Sequence, residues 1–392
     1  MPIPLAYNLR NIAVRRWTTA FTMGGVAMVV AATMLLAALI GGLQQMLAST
    51  GEPDNLIVLR KGATSDGASV VPREAAQALR ALSGVARAPD GTPLASPEML
   101  NQPFLHSEAG TRENVLVRGV EPVAFTVHRA VHVVEERMFR PKLGEVVIGR
   151  GALRRYAPGG LGSALAFGRR RWTVVGVFDS GGTAFDSEIW ADLTDVLDDT
   201  RREGFVSGVR LRVAPGTDGR ALARRIESDG RFTLEAKPEV DYYREQAETA
   251  NALYILVLTL GIAMAVGATF GALNTMYAAV AARTAEIGTL RALGFSRGAV
   301  LASFLTESCL LAAGGLLVGA ALAALAVFAI NTLLSGVQFS MMTFSVATVF
   351  LRLSPGGAAL GLLFATGVGI LGGLAPAWRA ARLRVVDALH RA

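Results

Sequence analysis

The sequence predicts a membrane α-helical protein with four transmembrane helices and one α+β extracytoplasmic domain. Three observations predict it. Hydrophobic residues make up 52% of the 392 residues and the mean hydropathy is +0.42, too apolar for an ordinary soluble chain. Four stretches are long, apolar and almost free of charge. Between the first two lie residues 45–250, which hold no apolar run of spanning length but several short β-like runs separated by turn residues.

The net charge of +7 is unevenly placed. Residues 45–250 carry 27 Lys and Arg against 28 Asp and Glu, a net of −1, leaving +8 beside the apolar segments. That distribution reports membrane topology and argues against nucleic acid as a partner. The single cysteine, Cys309, excludes an internal disulfide and cysteine-based metal or redox chemistry.

Taken in chain order, residues 1–16 form a short basic N-terminus. Residues 17–44 form the first transmembrane helix: no charge appears between Arg16 and Glu52, and ~30 Å of hydrocarbon needs only about 20 residues. A cleaved signal peptide is the alternative, with a shorter apolar core. Residues 45–250 form the extracytoplasmic domain, with strands expected at 55–59, 115–120, 145–149, 172–178 and 209–213 and helices at 73–82 and 219–227. The second transmembrane helix covers 251–282, preceded by a helical stalk over Tyr242 to Glu248. A loop, 283–297, leads to the third helix, 298–331, interrupted only by Glu307. A polar loop, 332–354, precedes the fourth helix, 355–378, which ends at Pro376 and Trp378. Residues 379–392 close the chain. Gly267, Gly271, Gly314, Gly315 and Gly319 offer small surfaces for close helix contact and predict a dimer.

Arginines set the orientation. Arg10, Arg15, Arg16, Arg283, Arg291, Arg297, Arg379, Arg382, Arg384 and Arg391 fall on one side, and Arg352 stands alone on the other. The positive-inside rule therefore puts both termini in the cytoplasm and residues 45–250 outside.

A search for chemistry returns little. No Gly-x-x-x-x-Gly-Lys-Ser/Thr occurs, and the chain's lysines are Lys61, Lys142 and Lys237, so these residues offer ATP no phosphate loop. Gly159 to Gly162 read as a turn. His128 and His132 are spaced i, i+4, but the valines around them suggest one strand over 127–134, where they lie too far apart to share an ion; His106 and His390 add no ligand set. Asp195, Asp198 and Asp199 on a helix, and Arg169, Arg170 and Arg171 in a hairpin turn, read as solvated surface. Glu307 differs, because an ionisable group inside a span is costly; it is either an interfacial structural group or one that packs against a partner or relays motion.

The run Arg283-Thr284-Ala285-Glu286-Ile287-Gly288-Thr289-Leu290-Arg291-Ala292-Leu293-Gly294-Phe295-Ser296-Arg297, with Phe304-Leu305-Thr306-Glu307, closely resembles the cytoplasmic loop and third-span entry of FtsX-like ABC transporter permeases. Asn8-Leu9-Arg10-Asn11 with Arg15-Arg16 and Thr22 to Val26 is similar to that family's opening, and Pro376 to Leu383 to its close. Residues 45–250 resemble the MacB-like periplasmic core domain, above all at Val147-Ile148-Gly149 and Val174 to Phe178. Arg384 to Leu389 lacks the Asp-Pro common there, and Thr18 stands where arginine is frequent.

The resemblance implies a non-catalytic permease subunit of a bacterial cytoplasmic membrane that dimerises with a second copy or a related permease. It implies two copies of an ABC ATPase on separate chains, which bind the ATP and Mg; no cofactor is expected on this chain. The output it implies is export or extraction of a peptide, antibiotic or lipoprotein, with a periplasmic adaptor as a further partner, or control of an envelope enzyme such as a cell-wall hydrolase. A membrane-anchored sensor is a third reading, weakened by the shortness of the cytoplasmic segments. Within 283–297 a coupling helix along the membrane surface is expected, its ATPase-coupling residues being Glu286, Ile287, Gly288, Leu290, Arg291 and Gly294. Ile287, Leu290 and Leu293 would share one side and Ala285, Gly288 and Ala292 another; Glu286 and Arg291, five apart, would each be open to a partner.

Overall fold

The computed structural model describes residues 7, 10, 14, 16–106, 110–157, 159–248, 251–334, 336–341 and 344–383. The sequence features at Asn8, Leu9, Asn11, Arg15, Arg384 to Leu389, His390 and Arg391 lie outside them. Two compact units result: residues 1–42, 250–335 and 350–392, and residues 43–249 with 336–349.

Among the described residues four helices are long and apolar enough to cross a membrane, Arg16–Thr50, Glu239–Ala282 taken as one span, Arg297–Leu333 and Pro355–Ala381, and the first unit is built from their parts within its bounds. Glycine decides how closely they approach. A Cβ on Gly315 would lie 2.9 Å from the Met23 carbonyl, and one on Gly319 2.6 Å from the Ala27 carbonyl. On the fourth helix Gly361 meets Val30 and Met34, Gly369 meets Ala312, Gly372 meets Ala272 and Gly373 meets Ser308. Without a hydrophobic drive between helices in lipid, such small-residue contacts let dispersion and carbonyl-level hydrogen bonds hold a bundle. Ser308 Oγ donates to the Gly369 carbonyl at 2.7 Å, as that picture requires. Gly314, Gly315 and Gly319 are thus spent on the chain's own first helix, whereas Gly267 and Gly271 face open space. Outward-facing Ile262, Phe270, Leu325, Phe328 and Leu363 give the bundle an apolar exterior.

The second unit centres on a ten-stranded sheet. Its strands are β1 (Asn55–Arg60), β2 (Ala95–Asn101), β3 (Leu116–Val120), β4 (His132–Glu136), β5 (Glu145–Gly149), β6 (Ala164–Phe167), β7 (Arg170–Asp179), β8 (Glu188–Asp192), β9 (Gly208–Arg212) and β10 (Leu234–Pro238). The order is β10-β1-β9-β2-β3-β8-β5-β7-β4, with β6 paired to β7. Only β3 with β8 and β5 with β7 run parallel. Helices Arg73–Arg80, Arg150–Tyr156, Leu193–Thr200 and Gly219–Glu227 supply buried leucines, alanines and isoleucine to one continuous apolar cluster that includes Leu56, Val58, Met99, Val117, Ile148, Val209 and Leu211. The hairpin Val337–Met341 and Phe344–Val349 occupies what reads in the sequence as a plain polar loop, and Thr348 N donates to Ser187 Oγ at 3.1 Å.

Strand alternation turns a second set of residues the other way. In β9, Val209 and Leu211 enter the apolar cluster while Arg210 and Arg212 face opposite, and both arginines are buried. Arg210 donates through Nε to Glu239 at 2.9 Å, through Nη2 to Asp66 at 3.1 Å and through Nη1 to Glu98. Arg118 clasps Glu188 with two bonds of 2.7 Å and reaches Glu98 at 2.7 Å. His128 Nε2 lies 2.7 Å from the remaining Glu98 oxygen, and Trp190 Nε1 donates to Glu188 at 2.8 Å. Burial pushes Glu98 up, but Arg210, His128 and Arg118 outweigh it and hold that carboxyl well below its usual range.

Several readings of the sequence are corrected here. Residues 127–134 are not one strand: Ala124–Val127 is a helical turn, His128 follows it, and the strand begins at His132. The acidic and basic clusters are not solvated separately. Arg170 pairs with Asp195 at 2.7 Å and Asp198 at 3.2 Å, and Arg169 N donates to Asp199 at 2.7 Å. Asp195 and Asp199 are buried. Gly168, at φ 62, makes that docking possible, since any Cβ there would collide with the Asp199 carboxylate. Tyr242 to Glu248 is no free stalk: helix Glu239–Glu248 buries Tyr242 and Tyr243 in the charged face, where the Tyr242 hydroxyl donates to Asp66 at 3.1 Å.

Candidate coupling site

Arg283 ends the second span by breaking the helix. Its φ of −119 and ψ of 20 turn the chain, and helix Thr284–Ala292 starts at once. One side of that helix is buried, at Ile287 and Gly288, whereas Ala292 and the following Leu293 are exposed. Ile287 belongs to one apolar cluster with Met276, Val280, Val300, Phe304, Leu311, Ala377 and Ala380, which residues of three spans share. Leu290 is half-buried, while Leu293 is 73% exposed. The expected single side of Ile287, Leu290 and Leu293 is therefore split, because the helix ends at Ala292 and its last turn points away from the bundle.

The helix is held by a charge that sequence reading did not single out. The buried Arg283 guanidinium donates through Nη1 to Glu307 at 3.0 Å and through Nε to Glu286 at 3.1 Å. Its guanidinium carbon lies 5.1 Å from the Phe304 ring centroid and 5.0 Å from that of Tyr7, within the range of cation–π attraction. The Tyr7 hydroxyl donates to Glu286 at 2.9 Å. Glu286 is thus engaged within the chain, which corrects the expectation that it waits for a partner. Glu307, a lone carboxylate in an apolar run, is buried and answered by Arg283, as a charge at that depth must be.

Arg291 donates through Nη1 to the Phe295 carbonyl at 3.2 Å, and its Nε has no hydrogen-bond partner among the described residues. Gly294, at φ 95, carries the chain through a left-handed turn, and Ser296 caps the third span by accepting from Ala299 N. The six residues expected to couple, and Glu307, which was expected apart from them, lie in one continuous arrangement at one end of the bundle. Arg283, Tyr7 and Phe304 are its unanticipated members. Spacing gives no hint of them, because Arg283 and Glu307 are 24 residues apart on different helices.

Comparison with known proteins gives two family matches: the MacB-like periplasmic core domain over residues 19–229 and the FtsX-like permease C-terminal domain over residues 258–385. The macrolide export ATP-binding/permease protein MacB of Neisseria gonorrhoeae is 28% identical over 238 residues, which cover 58% of this chain and 35% of that protein. The protein of the same description from Agrobacterium fabrum is 28% identical over 325 residues, 75% of this chain and 48% of its own. The chain thus spans between a third and a half of the length of these relatives. Among solved structures, the periplasmic region of MacB from Actinobacillus actinomycetemcomitans aligns with 51% of this chain and 94% of its own at 12% identity and a TM-score of 0.39.

Proposed function

Given that the chain belongs to the family of FtsX-like ABC transporter permeases with a MacB-like periplasmic core domain, we propose that it couples an ATPase on a separate chain to its own extracytoplasmic domain. It is a membrane protein of the ABC permease class, and the helix Thr284–Ala292 is the element we assign to receive the ATPase. The observation that carries this assignment is the Arg283 clamp. It fixes one side of a short surface helix through Glu307, Glu286 and Ile287 while Ala292 and Leu293 remain exposed. A helix docked on a rigid bundle with an apolar tip left outside is suited to sit in a partner's groove and pass force to three spans at once.

In this reading ATP and Mg are held by the ATPase that the helix receives. The arginine asymmetry supports a cytoplasmic side for the helix and both termini. A second permease copy completes the assembly, and the descriptions of the relatives support export of macrolide-like compounds as its output. The test is Leu293→Asp, which leaves the clamp untouched. Membrane insertion should be normal while recovery of the ATPase by co-purification falls at least about tenfold, the equivalent of one lost apolar contact of ~1.4 kcal/mol or more. Undiminished recovery would show that this helix is only a connector. Double reversal of Glu286 and Arg291 is the poorer test, because Glu286 also binds Arg283 and Tyr7.

A further inference from the structure

Two residues along β9 from the fully paired Arg210, Arg212 is 8% exposed and has no carboxylate within ion-pair distance among the described residues. Its Nη2 donates to the Val127 carbonyl and its Nε makes a long 3.5 Å contact with Asn55 Oδ1. Burying an arginine in this way is costly unless an anion answers it. On the same face of the same strand, Arg210 has three carboxylates. The contrast is one of surroundings, since Arg212 lines a cavity of about 700 Å³.

The same cavity is lined by Arg87, Arg129 and Arg220, against only Asp54 and Asp218 among acidic residues. Asp54 is taken up by Arg129 at 3.2 Å, and Asp218 caps helix Gly219–Glu227 by accepting from Arg220 N. The N-terminus of that nine-residue helix opens into the cavity through Gly219 and Arg220, adding partial positive charge. Burial first, then the Arg129 charge, lowers the Arg212 pKa, and more distant carboxylates do not compensate. The volume far exceeds one phosphate group and lies in the range of small-molecule sites. Leu56, Leu94 and Val213 give part of the wall an apolar character.

We propose that this cavity is a binding site for a small organic anion, whose carboxylate or phosphate group is clasped by Arg212 and Arg129 while its body lies on the apolar wall. The site is distinct from the coupling helix, and its occupant is recognised by charge and by the fork geometry of guanidinium groups.

Full-length protein in detergent micelles would be titrated calorimetrically at low salt with inorganic phosphate, glycerol phosphate and N-acetyl-dialanine. Saturable binding of at least one probe at one per chain is expected. It should weaken about tenfold or more in Arg212→Gln, and severalfold in Arg129→Ala, for loss of a charge-assisted hydrogen bond. Because Arg212 is buried and its replacement could unfold the domain, Arg129→Ala is the second, exposed variant, and Arg231→Ala, which pairs with Asp229, is the control expected to bind normally. Tighter binding of glycerol phosphate would assign the site to phosphoesters, and tighter binding of the peptide acid to carboxylates; either supports the proposal. Absence of saturable binding for all three probes, or binding unchanged in both cavity variants, would overturn it.

Discussion

Replacing Arg210 with methionine keeps the volume and removes the charge on which the closed face of the sheet depends. Arg210 is fully buried and bonds to Glu239 at 2.9 Å, Asp66 at 3.1 Å, the Tyr243 hydroxyl at 3.3 Å and Glu98. Removing one member of such a group strands buried carboxylates, which costs about 3–5 kcal/mol. At ~2–4 °C per kcal/mol for a domain of this size, the domain should melt roughly 6–20 °C lower. Tryptophan emission during thermal unfolding reads this directly, with Trp17 and Trp378 replaced by phenylalanine so that the buried Trp172 and Trp190 report alone. The pH dependence has a fixed sign. Glu98 is held below its usual range in the folded protein, so its contribution is present above about pH 4.3 and is lost as the pH falls through the depressed value. In Arg210→Met the pull that outweighs burial is weakened, Glu98 protonates earlier, and the gap between the two proteins narrows in acid. A loss under about 1 kcal/mol, or a gap that widens in acid, would refute the view that this guanidinium compensates the buried carboxylates.

Other perturbations separate the bundle from the domain. Gly319→Val would put methyl groups where a Cβ already meets the Ala27 carbonyl at 2.6 Å, and about 1–3 kcal/mol of overpacking or more should appear as earlier thermal aggregation in detergent. Arg283→Lys keeps the charge but loses the fork that spans Glu286 and Glu307; amide exchange over 284–292 should quicken by about tenfold while that of the sheet is unchanged. Reporter fusions at residue 150 should show an extracytoplasmic location and fusions at residues 290 and 392 a cytoplasmic one, and cytoplasmic activity at 150 would end the four-span topology. With Gly314, Gly315 and Gly319 used inside the chain, the proposed pairing with a second permease copy is expected on the open side of the second span, so Gly267→Cys should crosslink in membranes more efficiently than Cys309 does.

Much of this architecture could be read from residue order alone, for a physical reason. Spanning helices are dictated by local composition, since an uncharged apolar stretch of more than about 20 residues has few places to go except the hydrocarbon. The short β-like runs of β1, β5 and β7, the helix at 219–227 and the short helix at 284–292 are likewise set by near neighbours. Tertiary structure decided which charges meet. Val209 to Val213 alternates apolar and basic residues, a pattern that ordinarily marks a strand with one wet face; here that face is closed by Glu98, Glu239 and helix Glu239–Glu248, so Arg210 is buried and paired. The same holds for Arg170 with Asp195, for Arg283 with Glu307, and for Arg212, which has no carboxylate within ion-pair distance among the described residues. Pairing between charges tens of residues apart depends on where the backbone brings them, and no spacing rule encodes that.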